Sequence, residues 1–94
     1  VRACLARIEA REPNIRAGEF LDPDAALEQA RRCDRTPSGG QFHGLPIAVK
    51  DVFDTADMPT LWGDETVYAG RRPERDAPVV QRLREEGAVL LGKT

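Results

Sequence analysis

The chain has 94 residues and a formal net charge of −2; 40% of its residues are hydrophobic, 32% are charged and only 5% are aromatic. That size suits one small domain, and the composition excludes a disordered chain. No Lys/Arg-dense face stands out and no apolar run approaches the ~20 residues of a membrane-crossing helix, which argues against nucleic acid and the bilayer as partners. The opening Val1-Arg2-Ala3-Cys4 has no signal-peptide hydrophobic region, so the expected location is cytoplasmic, with a true N-terminus possible upstream. Cys4 and Cys33 make neither a disulfide framework nor a metal motif and read as two reduced, partly buried thiols.

In chain order, Ala3, Leu5, Ala6, Ile8 and Ala10 predict an amphipathic helix from about Arg2 to Glu12, ended by Pro13. Residues 14–21 are ambiguous and can hold a short strand. Asp22-Pro23-Asp24 is a strong helix start. Asp22 can cap, Pro23 suits the first helical position and Asp24 favours the positive end of the helix dipole. Ala26, Leu27, Ala30 and Cys33 then form one apolar stripe to about Asp34. Thr36 to Gly40 is a turn or surface loop.

Ile47-Ala48-Val49 is a short apolar run bounded by Pro46 and Lys50 and predicts a buried strand. Residues 51–70 form a loop-rich crossover in which Met58 and Trp62 are expected to pack. Asp76 then caps a third helix, with Pro78 in its first turn and Val79, Val80 and Leu83 as its buried stripe. Gly87 ends that helix in a left-handed conformation, and Ala88-Val89-Leu90-Leu91 is a second buried strand. Strand, crossover with helix and strand form a β-α-β unit with parallel strands and a right-handed crossover. Such a sheet needs cover on both faces, and the chain stops at Thr94 directly after a strand. The expectation is therefore an α/β fold that is part of a larger domain: a mixed sheet flanked by helices, with residues 1–94 as one partial domain.

Lys50 is the candidate catalytic residue. It lies at the carboxyl end of an apolar strand, where α/β proteins build sites. Of 14 basic residues 12 are Arg, and only Lys50 and Lys93 are Lys. A lysine can lose its proton and serve as a base, whereas an arginine in a protein does not. The alternative is a strand-end lysine that reaches water or pairs with Asp51 or Asp54.

Several blocks resemble the amidase-signature family. The first is Phe42-His43-Gly44-Leu45-Pro46-Ile47-Ala48-Val49-Lys50-Asp51. The likeness continues through residues 54–60 and 68–70, Asp76-Ala77-Pro78-Val79-Val80 and Gly87-Ala88-Val89-Leu90-Leu91-Gly92-Lys93-Thr94. The helix from Leu21 to Ala30 also fits, so the resemblance covers residues 14–94. It implies a Ser-Ser-Lys mechanism without metal or organic cofactor, acting on a small-molecule amide, with Lys50 matching the family's lysine. That lysine exchanges a proton with a bridging serine. The bridging serine activates a second serine, which attacks the amide carbonyl, while backbone N–H groups of a Gly/Ser-rich loop hold the oxyanion.

The chain departs from that pattern in two respects. Both family serines lie beyond the last block, and Ser38, the only serine present, precedes Lys50 in a turn and matches neither. Asp64 follows Gly63 where family members often carry Ser. The fragment alone is thus expected to be inactive. The family also contains the amidotransferase subunit that releases ammonia from glutamine for tRNA-linked amidation, which is the second reading. Two other classes compete. Gly87 to Thr94 formally matches the nucleotide-binding P-loop pattern, although Ala-Val-Leu-Leu in its middle favours a strand. A non-catalytic module would need a partner to cover its open sheet edge and apolar helix faces. His43, the lone histidine, is expected to pack beside Gly44 at the strand entrance.

Overall fold

A computed structural model describes residues 1–37 and 39–94; Ser38 lies outside the described residues. Three helices and three strands follow in the order α1 (Arg2–Ile15), β1 (Phe20–Leu21), α2 (Pro23–Arg35), β2 (Pro46–Val49), α3 (Pro78–Glu85) and β3 (Val89–Lys93). The sheet order is β1-β3-β2, with β2 parallel and β1 antiparallel to β3. The expected mixed sheet with helices is what the chain forms. No described helix is long and apolar enough to cross a membrane.

Each face of the sheet has its own cover. On one face Val89 and Leu91 meet Ala26 of α2, and Cys4, Leu5, Ile8, Leu21, Ala30 and Cys33 pack around them. On the other face Leu90 and Val49 meet Val80 of α3 and Met58 of the crossover, with Phe20, Ile47 and Ala77 alongside. Burial of each large aliphatic side chain contributes roughly 1.5–3 kcal/mol. Cys4 and Cys33 are free thiols, both partly buried.

The register of β2 on β3 skips one residue. Ile47 pairs with Leu90, but Ala48 pairs with Gly92, leaving Leu91 as a bulge. Strict alternation would send Lys93 to the same side as Val89 and Leu91. The bulge turns it instead to the Leu90 side, under the crossover. Gly92 sits where β1 crosses closest, and a Cβ there would collide with the Phe20 carbonyl oxygen.

Three local expectations need correction. Helix α1 does not stop before Pro13 but runs through it to Ile15 and closes on Arg16, which is left-handed with φ 53° and donates its N–H to Glu12 O at 2.8 Å. Pro13 is in the last turn, so the Glu9 carbonyl deprived of its helical partner can face water. Asp22 caps α2 as expected, accepting from Ala25 N at 2.9 Å. Asp76, however, does not cap α3. The cap residue is Ala77, one position on, and the Asp76 carboxylate accepts instead from Ala56 N at 2.8 Å and Arg84 Nε at 2.9 Å. Pro78 at the first helical position fixes the start of the helix without it. The third correction concerns the stripe of α3: Val80 is fully buried, but Val79 is 47% exposed.

Candidate functional site

The apolar run of β2 is less buried than expected, because β2 lies at the edge of the sheet: Ala48 is exposed, and only Val49, where the run ends, is buried. The β3 terminus then brackets the next residue. Thr94 N donates to Val49 O at 3.0 Å and Asp51 N donates to Thr94 O at 2.7 Å. Lys50 lies between these two bonds, so its backbone is fixed on both sides while its side chain is exposed. It stands at the carboxyl end of a parallel strand, where the sheet edge opens.

Neither acidic neighbour of Lys50 is free to neutralise it. Asp54 forms a two-pronged pair with Arg71, at 2.7 Å and 3.0 Å. Arg71 holds the Asp54 carboxyl below the usual carboxylate range, against the opposing pull of partial burial. Asp51 faces away into the interior, only 2% exposed, and pairs with Lys93 Nζ at 3.2 Å. Among the described residues, the Lys50 ammonium makes no hydrogen bond or ion pair.

Asp51 is the hub of the turn. Its carboxylate accepts from Leu61 N at 3.2 Å and Gly63 N at 3.1 Å, and its carbonyl accepts from Trp62 N at 3.1 Å. Three consecutive amides therefore converge on one residue. Trp62 and Gly63 reach it by adopting φ of 57° and 69°, the left-handed region that curls the chain around Asp51. Burial alone would raise the Asp51 pKa; the Gly63 and Leu61 amides and the Lys93 ammonium outweigh it and hold the carboxyl below its ordinary value.

Lys93 is fully buried. Its ammonium lies 2.7 Å from Thr60 Oγ1, 3.0 Å from Pro59 O and 3.4 Å from Thr55 Oγ1, besides Asp51. Each hydroxyl accepts from the ammonium and passes its own proton on, Thr55 to Met58 O and Thr60 to Phe53 O, both at 3.3 Å. In the sequence, Lys93 belongs to the last amidase-like block and to the P-loop pattern, and neither assigns it a role in the site. A signal was nevertheless present: an Arg-rich chain that spends a lysine at the end of an apolar strand has a place for a compact ammonium and none for a guanidinium fork.

The P-loop reading does not survive this arrangement. Val89 to Lys93 is a fully buried strand, and the Lys93 ammonium is committed to protein acceptors. His43 is remote from Lys50; its Nε2 lies 3.1 Å from Cys33 O at the opposite end of β2, beside Gly87. Met58 is buried as expected, but Trp62 is 57% exposed and pairs with Tyr68, their rings 6.2 Å apart. Asp64 organises the next turn. It accepts from Thr66 N, Thr66 Oγ1 and Val67 N at 2.6–3.1 Å, and the Thr66 hydroxyl leads the groups that hold its carboxyl low. Among the described residues, no three His, Cys, Asp or Glu side chains gather as a metal site would.

The sequence profile of one family, Amidase, matches residues 1–94. A glutamyl-tRNA(Gln) amidotransferase subunit from Chloroflexus aurantiacus is 52% identical over 97% of the chain, which spans 19% of that protein. The crystal structure of a peptide amidase from Stenotrophomonas maltophilia superposes with a TM-score of 0.89 at 42% identity, over 99% of this chain and 20% of that one. An amidase family protein from Bacillus anthracis superposes with a TM-score of 0.84 at 34% identity, over 95% of this chain and 19% of that one. The chain thus spans about one fifth of the length of the relatives it matches.

Proposed function

Because the chain belongs to the amidase family, we propose that it is the N-terminal part of an enzyme that hydrolyses a carbon–nitrogen amide bond, with Lys50 as its proton-transfer residue. One observation carries the assignment of Lys50: it stands at the open carboxyl edge of the sheet on a doubly clamped backbone, and both nearby carboxylates are engaged with other cations. A lysine retained only for charge pairing would be expected to use Asp51 or Asp54.

In the proposed mechanism neutral Lys50 takes the proton of a bridging serine. That serine takes the proton of the nucleophilic serine as it attacks the amide carbon. The proton then returns along the relay to the leaving nitrogen, and water releases the acyl group. Both serines belong to sequence beyond these 94 residues, so the isolated chain should not turn over an amide. The reaction asks for no metal or organic cofactor. The substrate is a small-molecule amide.

A second reading has a specific observation behind it, the 52% identity to a glutamyl-tRNA(Gln) amidotransferase. Under that reading the amide is glutamine and the product is ammonia for tRNA-linked amidation. Assaying the full-length enzyme on glutamine and on a C-terminal peptide amide separates the two. For either substrate, Lys50→Ala should lower turnover by about 10²–10⁴-fold, the range for loss of a positioned base. Near-wild-type turnover by a folded Lys50→Ala enzyme would remove the proposal.

A further inference from the structure

The buried ion pair next to Lys50 does more than fill the interior. We infer that Lys93 and Asp51 form a positioning device for Lys50, setting both its backbone and the electrostatic field at its side chain. The inference rests on the proposed role of Lys50.

The covalent route is short. Asp51 is the residue after Lys50, and every polar group of Asp51 is held: its N–H by Thr94 O, its carbonyl by Trp62 N, and its carboxylate by Leu61 N, Gly63 N and Lys93. Lys93 in turn ties that carboxylate to the 55–60 segment through Thr55, Pro59 and Thr60. Two stretches of chain distant in sequence, β3 and residues 55–63, thereby meet at the peptide that leads out of Lys50. Placement of a reacting group to a fraction of an ångström depends on this kind of support. A neutral, apolar side chain at 93 would fill the same space, so the ammonium is not needed for volume.

The pair also balances charge. An unpaired Asp51 anion would favour protonated Lys50, and an unpaired Lys93 cation would disfavour it. The other charged groups facing the pair are Asp54 and its partner Arg71, which offset one another. Breaking the pair from either side should therefore move the titration of Lys50 in opposite directions. A role limited to holding the fold would not.

The test uses the full-length enzyme and reads kcat, KM and the pH dependence of kcat/KM. Lys93→Met should lower kcat by at least about tenfold with KM changed less than about threefold, and move the acidic limb of the profile to higher pH. Asp51→Asn keeps an acceptor for the Leu61 and Gly63 amides and should move the limb down. The double variant should bring the limb back to within about 0.3 unit of wild type. If Lys93→Met does not fold, the downward shift in Asp51→Asn still decides the matter. Folded variants whose limbs stay put, or both move the same way, overturn the inference. Lys50→Ala is run beside them: if it is active, the proposed role of Lys50 fails, and if it is inactive while the limbs stay put, only the positioning role fails.

Discussion

An added methyl group is enough to test the close approach of β1 to β3. At Gly92, a Cβ would collide with the Phe20 carbonyl oxygen, a backbone atom that cannot swing away, and would press on the Leu21 side chain and Cα. Gly92→Ala should destabilise the fold by about 2–3 kcal/mol, in the upper range for overpacking, and urea unfolding would measure it. The Lys93–Asp51 pair has a different signature. Removing one partner strands a buried charge and should cost about 3–5 kcal/mol, while neutralising both together should cost much less. Asp51 and Asp54 both titrate below the ordinary carboxylate value in the folded state. Their contribution to stability is therefore complete above about pH 5 and is lost as the pH falls below about 4, through their folded-state values. A midpoint of urea unfolding that stays constant from about pH 6 to about pH 3 would contradict the hydrogen bonding assigned to them.

Among the elements, β3 shows how a strand in the middle of a sheet is served by very little chain. The two residues of β1 pair with only Gly92 and Lys93. The edge of β3 before that point is finished by a side chain: Gln29 of α2 accepts from Leu90 N at 3.1 Å and donates to Leu90 O at 3.3 Å, as a neighbouring strand would. Gln29→Leu should leave both backbone groups unpaired and cost about 1–3 kcal/mol, measurable by urea unfolding. The element boundaries that sequence made legible were those written in local chemistry. Asp22-Pro23 started α2 as read, and Gly87, with φ 84°, ended α3 as read. Pro13, Asp76 and Val79 misled because each is decided by surroundings. The last turn of α1 tolerates the proline. A neighbouring arginine and an amide claim the aspartate. The face of α3 that meets Leu90 admits one valine and leaves the other in water.

Across the whole molecule, the sheet is covered on one side by α1 and α2 and on the other by α3 and the crossover, and Lys50 emerges where β2 leaves that sandwich. The position of Lys50 was legible because an apolar run, a lysine and a strand end coincide within one short stretch. Its surroundings were not. The bulge at Leu91 turns Lys93 under the crossover, and no periodicity announces a bulge. Asp51 and Asp54 both looked like partners for Lys50 in sequence, and only the folded chain assigns them to Lys93 and Arg71.

The most direct test of the central claim is the turnover of full-length Lys50→Arg on a peptide amide or glutamine. Arginine keeps the charge on a similarly long side chain but does not release its proton at accessible pH. A base at this position predicts a loss of about 10²–10⁴-fold in a normally folded enzyme. Turnover within a few-fold of wild type would mean that the position needs only a cation, and would contradict Lys50 as the proton-transfer residue.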